Sequence, residues 1–315
     1  MGFCALKMGG VGAAGLLVGS ALLLGGCDVP RFAADSTAGV IERAAPAINA
    51  HWDYDLAGAA APGSILQLEG LLSVAPDNEV LMLQLARAYV GYSFGWVEDE
   101  LDRADPMDFQ RQDYLQTRAR LMYLRARNWM FRYLSQEMDE GFDEARRGGL
   151  ESLQHWLQEH CTEPEHAEPL FWAGFGWGSA INMSREDPEM IADLSFAQAL
   201  IERSRELDPD YFHAGATTFL AVVKSSFSEA LGGRPEEGRA LFEEALERNG
   251  RHAHLTQLNY ARTYAVITNN RELFETLLRE IIDAPDQGNE VRLGYKIARR
   301  RARRRLSQVD DLFYE

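Results

Sequence analysis

LFETLLREII, residues 273–282, places Leu273, Phe274, Leu277, Leu278, Ile281 and Ile282 on a single stripe. Apolar side chains that recur every three or four positions share one face of a helix, whereas a strand would divide them between its two faces. The same period returns in ALFEEALERN (240–249) with Leu241, Phe242, Ala245 and Leu246, and long alternating β-branched runs are missing. The pattern predicts an all-α fold from about Ser36 onward. Its helices are expected near 36–50, 62–75, 78–93, 107–136, 139–160, 168–183, 188–206, 210–230, 235–249, 252–268, 271–284 and 288–309.

Helix punctuation agrees with the period. Asp105 before Pro106 and Asp187 before Pro188 read as N-caps followed by a proline in the first turn. LGGRPEEGRALF (231–242) breaks one helix at Gly232 and Gly233 and opens the next near Pro235. LEGLLSVAPDNEVLMLQLARAYV (68–90) and IERSRELDPDYFHAG (201–215) share one device, a proline-containing turn followed by small residues, and RALFEEALERN (239–249) reads as the second helix of a further unit. These resemble tetratricopeptide hairpins, in which small residues let paired helices approach and each pair stacks on its neighbour. Ala199 and Ala245 occupy similar places outside a 34-residue spacing, so the repeat is degenerate and the body is expected to be a compact superhelical stack.

The N-terminus sets the compartment. Lys7 is followed by an uncharged, glycine-rich stretch from Met8 to Gly26 that closes in Leu24-Gly25-Gly26-Cys27. A charge, a short apolar run and small residues before a cysteine make an export signal. LGGC matches the lipobox of lipoprotein signal peptidase, which would make Cys27 the lipidated first residue of the mature chain. The competing reading is an uncleaved N-terminal membrane helix. Lipidation predicts a signal peptide at 1–26, a lipidated tether at 27–35, a TPR-like helical domain at 36–287 and an Arg-rich helix and tail at 288–315. Palmitate-type acylation, membrane attachment through that lipid and a periplasm-facing body follow, with Asp28 leaving the choice of inner or outer membrane open.

Composition narrows the function. The cysteines are Cys4, Cys27 and Cys161, so processing and acylation leave Cys161 without an intramolecular disulfide partner. Thirty-two basic residues against 48 acidic ones give a formal charge of −16, which argues against nucleic acid as a partner. The exception is Arg299, Arg300, Arg301, Arg303, Arg304 and Arg305 within RLGYKIARRRARRRLSQ (292–308). That block reads as a solvated helix end, or as a surface for lipid headgroups or an acidic partner. His155, His160, Cys161, Glu165 and His166 crowd one stretch without metal-ligand spacing, and no serine has a nucleophile-elbow context. The reading is therefore a non-enzyme without metal or cofactor.

Aromatic clusters supply the candidate binding residues. FWAGFGWGSAINMS (171–184) interleaves Phe171, Trp172, Phe175 and Trp177 with Gly174, Gly176 and Gly178. Glycine within a helix loses about 1 kcal/mol against alanine, so these demand either a tight helix crossing or a channel wall with volume left for solute. AYVGYSFGWVEDE (88–100) adds Tyr89, Tyr92, Phe94 and Trp96. DYFHAGATTFLAVVKSSF (210–227) adds Tyr211, Phe212 and Lys224, the lysine standing alone in an apolar helix where it meets a carboxylate in a groove or extends to solvent.

Taken in order, LLSVAPDNEVLMLQLARAYVGYSFGWVED, RARLMYLRARNW, FWAGFGWGSAI, ALIERSRELDPDYFHAGATTFLAVVKSSFSEALGGRPEEGRALFEEAL and LNYARTYAVITNNRELFETLLREIIDAP resemble the TatT family. This is the T component associated with tripartite ATP-independent periplasmic (TRAP) transporters, and the resemblance runs from about 40 to 285. It implies a helical lipoprotein of cryptic tetratricopeptide units, a homotrimer, a pore through each protomer, and binding to the periplasmic solute-binding P subunit. The implied role is transfer of a small hydrophobic or organic-acid ligand, with Tyr89, Tyr92, Trp96, Trp172 and Trp177 lining or flanking the passage and Phe175, Tyr211 and Lys224 beside them. A scaffold lipoprotein for envelope complexes is the alternative.

Overall fold

The structure is a computed structural model that describes residues 29–138 and 141–313. The signal segment and the lipidation candidate Cys27 lie outside the described residues. The chain is about 80% helical, with no strand among the described residues.

The first half comprises α1 (Val29–Asn49), α2 (Tyr54–Val74), α3 (Glu79–Tyr92), α4 (Glu98–Leu101), α5 (Phe109–Glu137), α6 (Phe142–Arg147), α7 (Leu150–His160) and α8 (Ala167–Asn182). The second comprises α9 (Pro188–Ala192), α10 (Leu194–Leu207), α11 (Tyr211–Lys224), α12 (Pro235–Arg248), α13 (His254–Tyr260), α14 (Arg271–Asp283), α15 (Arg292–Ser307) and α16 (Val309–Leu312). Widened π turns at Ser93–Val97 and Ala261–Ala265 carry α3 into α4 and extend α13.

Local chemistry fixes most boundaries. Asn78 caps α3 by accepting from the Leu81 amide at 2.9 Å, Asn270 caps α14 through the Leu273 amide at 3.0 Å, and Asp187 accepts from Glu189 at 3.0 Å in front of Pro188. Asp105 accepts from the Met107 amide in a turn, and the cap of α5 is Asp108, bonded to the Arg111 amide at 3.0 Å. α2 begins eight residues before Pro62, because Asp53 accepts from the Leu56 amide and the alanines that follow sustain a helix that the proline interrupts only locally. The single helix expected over 139–160 is split between α6 and α7 at Gly148 and Gly149, the latter at φ +103°. Residues 29–35, read as tether, form the first turns of α1.

Neighbours in sequence pack on one another: α2 on α3, α10 on α11, α11 on α12 and α14 on α15, with α8 held between α5 and α10. One buried cluster runs from Ala34 through Tyr123, Phe171 and Trp177 to Leu220, and a second gathers Phe242, Tyr260, Phe274, Ile281 and Ala298. The stripe at 273–282 turns Phe274, Leu277, Leu278 and Ile281 into that second cluster.

The arginine block of α15 corrects its sequence reading, because the acidic face it meets belongs to the same chain. Arg304 Nη1 donates to Asp99 Oδ1 at 2.7 Å and Arg300 Nε donates to Asp99 Oδ2 at 3.2 Å. Arg304 and Arg305 also reach Asp102, at 3.1 and 3.3 Å. Arg301 is 2% exposed, lies 4.5 Å over the Phe94 ring and donates to the Phe94 carbonyl. Burial opposes ionisation of Asp99, but the hydrogen bond and charge of Arg304, the charge of Arg301 and the hydrogen bond from Arg300 hold its carboxyl below the ordinary range. The C-terminal helix thus closes against the segment between α3 and α5.

A second charged contact works in the opposite direction. Burial, then the hydrogen bond and charge of Glu137, raise the Glu79 carboxyl from 4.5 to about 7. Raising the folded-state value stabilises the protein below the ordinary carboxylate range and removes that contribution as pH climbs through about 7. Glu137→Gln is expected to gain about 1 kcal/mol over the parent at pH 8 and almost nothing at pH 5, the value being kept small by solvent screening. Urea midpoints at the two pH values check this, and an equal gain at both would remove the shared proton as the cause.

Candidate functional site

The glycine-aromatic helix α8 is built for close approach. A Cβ on Gly176 would stand 3.1 Å from the Tyr123 carbonyl oxygen and 3.2 Å from the Arg127 nitrogen of α5. A Cβ on Gly174 would meet the Ala197 carbonyl oxygen of α10 at 2.9 Å, and one on Gly178 would collide with the Phe219 ring. Of the two readings left open by the sequence, the tight crossing describes all three positions.

Between these crossings, the N-terminal half of α8 and the start of α11 form a packed aromatic cluster, with Phe171 and Trp172 buried. Trp172 and Phe175 meet Tyr211 and Phe212 around Phe171, with the Trp172 and Phe212 ring centroids 4.9 Å apart. Trp172 Nε1 donates to the Tyr211 hydroxyl at 2.7 Å, which donates to Glu168 Oε1 at 2.6 Å. Arg87 of α3 pairs with Glu168 at 3.1 Å and covers the Trp172 ring at 5.8 Å. Burial, then the Glu168 charge, push the Tyr211 phenol far above its ordinary range, so it remains a donor at physiological pH. Phe212, His213 and Ala214 all have left-handed backbones, with φ of 49°, 58° and 60°. Such conformations cost an L residue roughly 1–2 kcal/mol each, and the turn they make leaves Phe212 41% exposed at the edge of the cluster.

The remaining sequence candidates lie elsewhere. Tyr92 and Trp96 stack with centroids 6.0 Å apart, Trp96 also stacks on Tyr54 at 5.1 Å, and Arg118 donates to the Tyr92 hydroxyl at 3.3 Å. Tyr89 donates to Glu69 at 2.7 Å, and burial followed by that carboxylate raises its phenol to about 12. Trp177 packs edge-on against Phe131 at 5.2 Å, away from this cluster and within the core. Lys224 borders a groove of about 460 Å³ with Glu202, Arg205, Leu220, Leu241 and Arg248, but the carboxylate it pairs with at 3.3 Å, Glu237, is half-exposed and outside that lining. None of the aromatic candidates lines this groove. A similar groove of about 460 Å³ runs along α12 beside Glu243, Glu244 and Glu247.

In the histidine-rich stretch, Cys161 is buried with its thiol raised to about 12 by desolvation, and His166 Nδ1 accepts from the Glu163 amide at 3.2 Å. Sequence reasoning missed Arg87 and Glu168. Their signal was present, since each is a charge set into an otherwise apolar helix segment, LQLARAYV and AEPLFWAG.

An all-helical body whose interior is joined by tight crossings, with an aromatic cluster edged by the Arg87–Glu168 pair, defines the class as an all-α protein assembled from sequentially packed helices. The chain belongs to the TRAP transporter T-component family, TAtT, whose profile matches residues 50–313. It is also similar to an uncharacterized protein of Treponema pallidum (strain Nichols), 25% identical over 264 residues that cover 84% of this chain and 81% of that protein. The family is a non-enzymatic, envelope-associated accessory component of TRAP transporters. Among the described residues no helix is long and apolar enough to cross a membrane.

Proposed function

We propose that the protein is a lipoprotein anchored through Cys27 and facing the periplasm, where it binds the solute-binding P subunit of a TRAP transporter and assists transfer of a small hydrophobic or carboxylate ligand. In this reading the helical pairs stack as degenerate tetratricopeptide units, the protein assembles as a homotrimer, and the ligand passes through each protomer beside the aromatic cluster. The observation that carries the proposal is the match to the T-component family over residues 50–313. The cluster supports it, because Phe212, packed on Trp172 and Tyr211, shows solvent an aromatic surface beside the Arg87–Glu168 pair, a contact suited to an amphipathic ligand. The strained turn at 212–214 fits that role, because backbone strain is kept where surrounding structure holds a side chain for use.

The test is isolation of the mature protein followed by mass spectrometry of its partners and of extractable small molecules. Phe212→Ala is expected to lower retained ligand about tenfold, the loss of roughly 1.4 kcal/mol of binding, while helicity and P-subunit capture stay at the parent level. Ligand retention equal to the parent in Phe212→Ala would remove the aromatic cluster as the ligand seat. Capture of an envelope assembly without any P subunit would instead establish the scaffold reading.

A further inference from the structure

Helix α1 is attached by its smallest side chains and shows solvent its largest. Ala34 and Ala38 are its buried residues, and polar contacts fix it to the turn before α3: Arg31 donates to Asp77 at 2.6 Å, and Asn78 donates to Asp35 at 2.8 Å. On the other side Val29, Phe32, Val40 and Ile48 are exposed, with Ala33, Ala44 and Ala47 between them. Phe32 is 72% exposed at one end of the helix, and Trp52, just beyond the other end, is 61% exposed. At 100° per residue the exposed apolar positions of α1 share one side of a helix about 30 Å long, and its two acidic residues, Asp35 and Glu42, fall off that side, while Ser36, Thr37 and Arg43 lie within it.

We propose that this face of α1 lies in the plane of the bilayer, with its apolar side chains at the boundary between headgroups and acyl chains. The inference rests on the lipoprotein reading. Cys27 precedes Val29 by two residues, so acyl chains at Cys27 hold the first turn of α1 at the membrane surface. A single acyl chain binds marginally, and a second contact made by an amphipathic helix adds both affinity and orientation. The pattern suits a helix lying flat, because apolar groups occur at both ends and the far end finishes in a tryptophan, the residue favoured at membrane interfaces. Pinned at one end by lipid and along its length by α1, the body would present a constant face to the periplasm.

Bimane attached at Phe32→Cys, Val40→Cys or Ile48→Cys reads this in the acylated protein reconstituted into phosphatidylcholine and phosphatidylglycerol vesicles that contain a headgroup-proximal spin-labelled lipid. Cys161 is fully buried, so it does not compete for label, and Leu121→Cys on α5 supplies an exposed control. Quenching at 32, 40 and 48 is expected to be at least twofold greater than at 121. Equal quenching at all four positions overturns the inference. So does a blue-shifted emission at 32, 40 and 48 without lipid quenching, which would show that protein covers the face. Mass spectrometry of the N-terminal peptide tests the anchor separately. Should Cys27 carry no lipid, the lipoprotein reading falls, and the same quenching comparison on protein held by an N-terminal histidine tag to nickel-chelating lipid decides the α1 face.

Discussion

Replacing Asp99 by asparagine is expected to cost about 3–5 kcal/mol of stability, the range seen when one partner of a buried ion pair is removed. Asp99 is 1% exposed and accepts from Arg304, Arg300 and Arg103, at 2.7, 3.2 and 3.1 Å. Tyr54 of α2 donates to the same carboxylate at 3.3 Å, so one side chain joins α2, α4 and α15. Asparagine keeps the size and loses the charge, leaving the buried Arg301 within 3.9 Å of Glu98 as its remaining acidic neighbour. The parent should lose the same contribution as pH falls, because a depressed carboxyl stabilises the fold above its unfolded-state range and must be protonated below it. Urea unfolding followed by circular dichroism at pH 7 measures the cost, and a double-mutant cycle with Arg304→Met apportions it. A loss under 1 kcal/mol would mean that apolar packing around Phe94 and Ile297, not charge, holds the C-terminal helix.

Gly176→Val is expected to destabilise by about 3 kcal/mol, at the upper end of the overpacking range. The atoms in its way are backbone, the Tyr123 carbonyl and the Arg127 amide nitrogen, and cannot rotate aside as the end of a side chain can. The added branched carbon must therefore part α8 from α5, in a region where Tyr123, Ala126 and Met130 are fully buried. Gly178→Ala provides the contrast, since the obstacle there is the far end of the Phe219 side chain rather than backbone, and its loss should be less than half as large. Thermal unfolding of both variants reports the difference. Equal losses would show that α8 is seated by its aromatic residues rather than by the backbone approach.

What the sequence made legible was local. The cap at Asp187, the break at Gly232 and the stripe at 273–282 lie within a few residues of the features they specify, whereas Asp105 was displaced as cap by Asp108 three positions on. Pro62 misled because the capping residue, Asp53, stands well upstream and alanines carry the helix past the proline. The partner of the arginine block was illegible for a different reason: it lies about 200 residues away, and charge alone does not say which acidic segment folds against it. The site was half visible. Trp172, Phe175 and Tyr211 were marked by their company of glycines and apolar residues, whereas periodicity could not separate them from Trp177, which the same helix turns into the core. The turn at Phe212 gave no signal, since a left-handed backbone is ordinarily announced by glycine or asparagine and here runs through phenylalanine, histidine and alanine.

The clasp between α15 and Asp99 bears on how the chain matures. A polypeptide made from its N-terminus presents residues 98–102 long before residues 300–305, some 200 positions behind. Until that late segment arrives, a cluster of carboxylates and the Phe94 ring wait without their cover, and contacts of such separation form slowly. Completion of the fold is thereby tied to completion of synthesis, leaving a partly made chain open along the seam that its last long helix will seal.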